Sequence, residues 1–153
     1  MTAARPSILV VNGPNLNLLG LRQPSIYGYD TLADAEKLAR DAADAAGYDL
    51  DFFQSNSDGA IFDRLQQARG VASGIIVNPA GLTSVSIALL DTLLAVELPV
   101  VEVHVSNIHR REEFRHFSYV STMADAVIAG CGILGYRFAV EYLAAKLAAA
   151  AEG

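Results

Sequence analysis

The feature that most constrains the fold is an alternation. Short apolar runs rich in β-branched residues recur along the chain: Ser7–Val11 (SILVV), Gly74–Val77 (GIIV) and Pro99–Val103 (PVVEV). Such runs suit strands buried on both faces, because neither face can then carry a row of polar groups. Tyr48–Gln54 reads as a further strand after the first, and Asp125–Ala129 as a weak fifth. Segments of helix length separate them. Parallel strands need such crossovers, whereas a hairpin would need only a short turn.

The helical segments have recognisable ends. Thr31 can cap a helix over Thr31–Ala46, with Asp34 in its first turn and Gly47 as its stop. Leu32, Ala35, Ala39, Ala42 and Ala46 would form its apolar face. Ser57 can cap a second helix to about Arg69, with Ile61, Leu65 and Ala68 inward. Thr83–Val96 reads as a third helix, apolar almost all round, which predicts burial on two sides. Glu112–Phe117 reads as a short turn of helix. Ile133–Ala151 is the last helix, with Tyr136, Ala139, Val140, Leu143 and Leu147 on its apolar face. The segment Leu16–Asp30 has no clean period, and loops of this length inside compact domains are usually functional. The pattern predicts an α/β fold in one domain, residues 1–153. It would be a flavodoxin-like three-layer sandwich around a five-stranded parallel sheet of order 2-1-3-4-5.

Composition narrows the functional classes. Hydrophobic residues make up 52% and charged residues 18%, an apolar balance that points to surface buried between subunits. A formal net charge of −6 argues against nucleic-acid binding, but leaves room for a local basic pocket. Cys131 is the single cysteine, which rules out an intramolecular disulfide and a cysteine-based metal cluster. Met1–Pro6 has no apolar stretch of a secretory signal, and no run approaches a membrane span. A cytoplasmic protein with no membrane partner is expected. Lys37 and Lys146 fall on helices away from the polar clusters, so Schiff-base chemistry has no candidate.

In the 2-1-3-4-5 order, strands 1, 3 and 4 are neighbours, and ligands bind beyond their carboxyl ends. Three polar clusters fall at those ends: Asn12–Tyr27, Asn78–Ser84 and His104–Arg115. The stretch Val100–Arg115 alone holds two histidines, three arginines and three glutamates. His104 ends a buried strand two residues after Glu102, so both face one side. A carboxylate there can orient the imidazole and favour its protonated form, which suits a general acid. A purely structural pair is the alternative. The amides of Val105-Ser106-Asn107 and the Ser106 hydroxyl can cradle an anion. Arg110, Arg111 and Arg115 stand close by. They form either a pocket for a carboxylate-bearing ligand or a solvated patch paired to Glu112 and Glu113. Arg22 lies near Tyr27, and a guanidinium beside a phenol favours the phenolate, a usable base. The alternative is a tyrosine that packs the loop. His109 and His116 read as solvated or capping residues, and no metal-ligand spacing occurs. Gly130, Gly132 and Gly135 match G-x-G-x-x-G, but no strand follows, so a tight turn and close helix packing are preferred to a dinucleotide site.

Taken in order, Asn12-Gly13-Pro14-Asn15-Leu16, Arg22-x-Pro24-x-x-Tyr27-Gly28, Asn78-Pro79, Glu102-Val103-His104-Val105-Ser106-Asn107 and Arg111-Glu112-Glu113-Phe114-Arg115 resemble type II 3-dehydroquinate dehydratases. The resemblance runs from near residue 8 to near residue 145. It implies anti-elimination of water from 3-dehydroquinate through an enolate, giving 3-dehydroshikimate. It implies Tyr27, activated by Arg22, as base, and His104, oriented by Glu102, as acid. Asn15 would stabilise the enolate through a water. Asn78 with the Val105 and Ser106 amides would hold the carboxylate, and Arg115 and Asp91 would contact ring hydroxyls or order the pocket. Arg111 would anchor a lid. No cofactor and no metal are implied, and the assembly would be a homo-dodecamer, a tetramer of trimers.

Two positions depart from the family pattern. Ser84 stands where the family usually has a histidine that contacts a ring hydroxyl, and Leu90 where it usually has an arginine. A serine donates or accepts a hydrogen bond but is shorter and cannot be cationic. Two other readings follow: a paralogue acting on a related hydroxylated cyclic keto-acid, and a non-catalytic binding or assembly protein.

Overall fold

A computed structural model describes residues 3–153. The reading of the chain start falls partly on Met1 and Thr2, which lie outside the described residues. Five strands form one parallel sheet: β1 (Ser7–Asn12), β2 (Asp49–Gln54), β3 (Gly74–Asn78), β4 (Val100–His104) and β5 (Ala126–Ala129). Their order is β2-β1-β3-β4-β5, as expected. The central register pairs Val11 with Val77 and Asn12 with Asn78, and Val77 with Glu102. The carboxyl ends of β1, β3 and β4 therefore finish side by side.

The connecting helices are α1 (Pro24–Tyr27), α2 (Leu32–Ala46), α3 (Asp58–Gln67), α4 (Ile87–Val96) and α5 (Leu134–Glu152). Alternation along each strand divides the core in two. Ile8, Val10, Ile76, Val101 and Val103 pack towards α2 and α5. Leu9, Val11, Ile75, Val77 and Val100 pack towards α3 and α4. Thr31 caps α2 in a reciprocal box with Asp34, and Ser57 caps α3. On α2 the buried residues are Ala35, Ala39 and Ala43, so the inward stripe ends at Ala43 and leaves the expected Ala46 exposed. Gly135 sits where α5 approaches the sheet; an added Cβ would lie 3.3 Å from Val103 and 3.4 Å from Ile128. Gly130 and Gly132 take positive φ in the turn before it.

Two expectations are corrected. The helix expected over Thr83–Val96 is a 3-10 turn, Ala80–Ser84, followed by α4 from Ile87. The Ser86 hydroxyl accepts from the Leu89 amide and caps the true helix, and a serine competes for helix interiors this way. Within one chain that helix is packed on one side. Leu89, Thr92, Leu93 and Val96 are buried, but Ile87 and Leu94 are more than half exposed. The long segment expected to lack regular structure carries a 3-10 turn, Leu16–Leu18, and α1.

Two close contacts lock the site's frame. The Gly13 amide donates to Asn78 O at 2.8 Å, and a Cβ at Gly13 would lie 2.5 Å from Pro79 O. The chains leaving β1 and β3 thus touch through a position that admits no side chain. Behind them the fully buried Tyr136 donates to Asn12 Oδ1 at 2.6 Å and accepts from Asn78 Nδ2 at 2.8 Å. Burial pushes its phenol well above the ordinary range, so it stays neutral and keeps its proton for Asn12. Gly13→Ala is expected to cost about 1–3 kcal/mol in urea unfolding, the usual range for overpacking against immovable backbone. Tyr136→Phe is expected to cost about 1–3 kcal/mol, because two buried amide groups lose partners. Unchanged midpoints in either variant would contradict these contacts.

Candidate active site

The loops beyond β1, β3 and β4 enclose a cavity of about 240 Å³. Asn15, Arg22 and Tyr27 form the wall after β1, Asn78, Thr83 and Ser84 the wall after β3, and His104, Val105, Ser106, Arg111 and Arg115 the wall after β4. Three of the chain's eleven basic residues thus line one hollow, and no acidic residue lines it. In a protein of net charge −6, this concentrates positive potential at one point. Arg115 is partly neutralised by Glu112 at 2.8 Å. Arg22 has no carboxylate partner among the described residues. The cavity is built for an anion.

Tyr27 ends α1, where Pro24 sets the first turn and Gly28 ends it with positive φ. Its hydroxyl receives a 2.7 Å hydrogen bond from Arg111 Nη1. Arg22 and Arg111 each stand 5.2 Å from the ring centroid. The expected pairing with Arg22 is therefore present as stacking, while the charge on the oxygen comes from Arg111, expected only as a lid anchor. The hydrogen bond from Arg111 fixes the direction of the phenol oxygen.

Glu102 and His104 share the face of β4 turned towards α3 and α4, as strand geometry requires. His104 Nε2 is hydrogen-bonded to Glu102 Oε2. That leaves Nδ1 as the ring nitrogen not engaged by the carboxylate, and the residue lines the cavity. Glu102 is fully buried and does not line the cavity. Burial pushes its carboxyl up, but hydrogen bonds from His104, Ser121 and Ser118 and the His104 charge outweigh this and hold it below the ordinary range. A carboxylate that stays charged fixes the orientation of the His104 ring.

The remaining candidates divide. Asn78 is buried, donates to Tyr136 and accepts from the Ala80 amide, so its side chain is pinned. Asn15 takes φ 71° and its amide donates to Asn56 Oδ1 at 2.8 Å, which turns it over the cavity. The Ser84 hydroxyl donates to Phe117 O at 3.0 Å, so towards a ligand it offers an acceptor. Val105 and Ser106 lie on the wall, where the chain leaves β4. Asp91 does not join them: it sits exposed on α4 and does not line this chain's cavity. His116 donates to Arg111 O at 2.9 Å, and the His109 amide is held by Asn107, so both act locally. Among the described residues no group of three or more histidine, cysteine or acidic side chains is placed to hold a metal.

Several residues were not anticipated. Thr83, Ser118 and Ser121 surround Glu102, and Asn12 and Tyr136 stand behind Asn78. The one available signal was chemical. A buried glutamate and a buried tyrosine each require partners, but their positions in the chain are remote.

The family described as Dehydroquinase class II matches residues 6–144. The chain is 59% identical to the 3-dehydroquinate dehydratase of Streptomyces avermitilis over 94% of its own length and 91% of that protein. It is 58% identical to 3-dehydroquinate dehydratase 2 of Agrobacterium fabrum, over 88% and 91% of the two chains. The crystal structure of type II dehydroquinase from Butyrivibrio crossotus superimposes with a TM-score of 0.88 at 37% identity, covering 92% of this chain and 99% of that one. On this match of sequence, topology and length, the chain belongs to the class II dehydroquinase family.

Proposed function

We propose that this protein is a hydro-lyase that removes water from 3-dehydroquinate to give 3-dehydroshikimate. The observation that carries the reading is the placement of a guanidinium-bound phenol, Tyr27, and a carboxylate-backed imidazole, His104, on separate walls of one cationic cavity. The close relatives named 3-dehydroquinate dehydratase support the choice of substrate.

The reaction then runs through the residues as follows. Val105 and Ser106, with Asn78, hold the substrate carboxylate, and the net charge of Arg22, Arg111 and Arg115 draws it in. The Tyr27 phenolate takes a proton from the carbon beside the ketone. The electron pair of the broken C–H bond moves into an enolate, stabilised by Asn15 through a water. The enolate collapses, the C–O bond to the tertiary hydroxyl breaks, and His104 delivers its proton to the departing oxygen. Water leaves, and a proton passes from the phenol back to the imidazole. No redox step or hydride transfer is involved. Arg115 and Ser84 meet the ring hydroxyls, with Ser84 accepting a hydrogen bond from one of them.

The same reading takes residues 1–153 as one domain and keeps the cytoplasmic placement expected from composition. No helix among the described residues is long and apolar enough to cross a membrane. It also assigns the exposed apolar face of α4 to contact between subunits. Ile87 and Leu94 on α4, and Val85 in the turn before it, are each more than half exposed, and Asp91 is exposed on the same helix. A dodecamer built from trimers is the assembly proposed. Leu94→Glu is expected to lower the assembly size in sedimentation without unfolding the protomer; an unchanged profile would remove α4 from the interface.

The activity is tested by mixing purified protein with 3-dehydroquinate and following the rise of conjugated-enone absorbance. A steady rise is expected. A flat trace at high concentrations of folded protein would reject the reading. Tyr27→Phe keeps the ring but loses the proton acceptor, and its kcat is expected to fall about a hundredfold to ten-thousandfold, the usual contribution of a positioned base. A Tyr27→Phe protein with parental turnover would place the base elsewhere.

A further inference from the structure

Glu102 sits where an apolar side chain would ordinarily stand. It is fully buried, on the sheet face packed by Leu89, Leu93 and Val120. An ionised carboxylate in that place needs donors on both oxygens. Ser121 Oγ donates to Oε1 at 2.6 Å. Ser118 Oγ donates to Oε2 at 2.8 Å, beside the bond from His104. Thr83 Oγ1 lies 2.6 Å from Ser118 Oγ and 3.3 Å from Oε2. Each hydroxyl has one proton. Since Ser118 spends its proton on Glu102, the short Thr83–Ser118 contact takes the proton of Thr83. The hydroxyls therefore form a directed chain, Thr83 to Ser118 to Glu102, with Ser121 as a separate donor on the other oxygen.

The segment that supplies these serines is tied to the substrate wall. The Tyr119 amide donates to Thr83 O at 2.8 Å, and Ser84 donates to Phe117 O. Ser121 itself lies at the surface, on the rim of a second, shallower hollow with Ile108 and Phe117. We infer that Ser118 and Ser121, backed by Thr83, are positioning residues for the acid: they keep the Glu102 carboxylate ionised and in the one orientation that aims His104 into the cavity. The inference rests on the reading of His104 as the acid. Of the titratable groups, only His104 acts on Glu102; the other groups that face it from the β3–α4 turn and from the segment before β5 are these hydroxyls.

Loss of a hydroxyl donor destabilises the charged carboxylate, so Glu102 would take up a proton at higher pH, and turnover would fail earlier as pH drops. Ser121→Ala is the sharpest variant, because its position at the surface makes the packing loss small. Two measurements are paired. The carboxyl carbon of Glu102, followed by NMR, is expected to titrate at higher pH in Ser121→Ala than in the parent. In the enone assay kcat is expected to fall about tenfold, the worth of one hydrogen bond to a charged group, with little change in KM. The acid limb of the kcat profile should move up with it. Ser121→Thr, which keeps the hydroxyl, should restore both. In a Glu102→Gln background Ser121→Ala should have no further effect. A folded Ser121→Ala protein with parental titration and parental kcat overturns the inference. If the parent itself fails to convert 3-dehydroquinate, the functional reading falls, and the Glu102 titration alone still decides whether Ser121 holds the charge.

Discussion

The interaction on which the site depends is the burial of one carboxylate. Glu102 lies in the middle of β4, with no exposed surface, beside Val77 on one strand and Val127 on the other. A charge in that position is tolerated only if the surrounding chain supplies donors from several directions. Here it does: one from the same strand, two from the segment between β4 and β5, and a third hydroxyl behind them from the turn after β3. These bonds join pieces of chain that are far apart in sequence. They also fix the imidazole of His104 against the cavity. A charged position in the core is therefore the one that orients His104.

The opposite wall solves a different problem. Tyr27 lies on a short helical turn outside the sheet, its ring partly buried against the core packed by α2 and α5. Beyond that packing, its ring is flanked by Arg22 and Arg111, and Arg111 reaches its hydroxyl from the chain after β4. One loop thus carries a phenol and another the guanidinium that binds it. The close contact of Gly13 with Pro79 and the Asn12–Tyr136–Asn78 link keep the floor between them rigid. A rigid floor with two polar walls gives a cavity whose chemistry differs from one side to the other, which is what an elimination with separate base and acid requires.

Much of this was legible in the sequence for definite reasons. Continuous apolar runs separated by capped helices leave few alternatives to a parallel sheet, and its order and the carboxyl-end location of the site follow from known topology. The Glu102–His104 pairing followed from strand periodicity alone. Three points did not. Ser86 starts α4 because its hydroxyl caps Leu89, and a serine inside an apolar run does not announce which turn it will end. Arg111 rather than Arg22 bonds the Tyr27 oxygen, a choice made by tertiary approach of two remote loops. The hydroxyls around Glu102 are common residues at uninformative spacing, and only the demand for partners at a buried charge singles them out. Helix phase on α4 turns Leu89 and Leu93 inward and places Asp91 on the exposed face.

The central claim is a division of labour: Tyr27 breaks the C–H bond and His104 completes the loss of water. Substrate deuteration in heavy water separates the two steps, because an enolate that cannot expel its hydroxyl returns to ketone with a solvent deuteron. Incubation of 3-dehydroquinate with the His104→Gln protein in deuterium oxide, followed by mass spectrometry, is predicted to give deuterated starting material with little product, while Tyr27→Phe gives neither. Deuterium incorporation by Tyr27→Phe but not by His104→Gln would reverse the assignment and contradict the account.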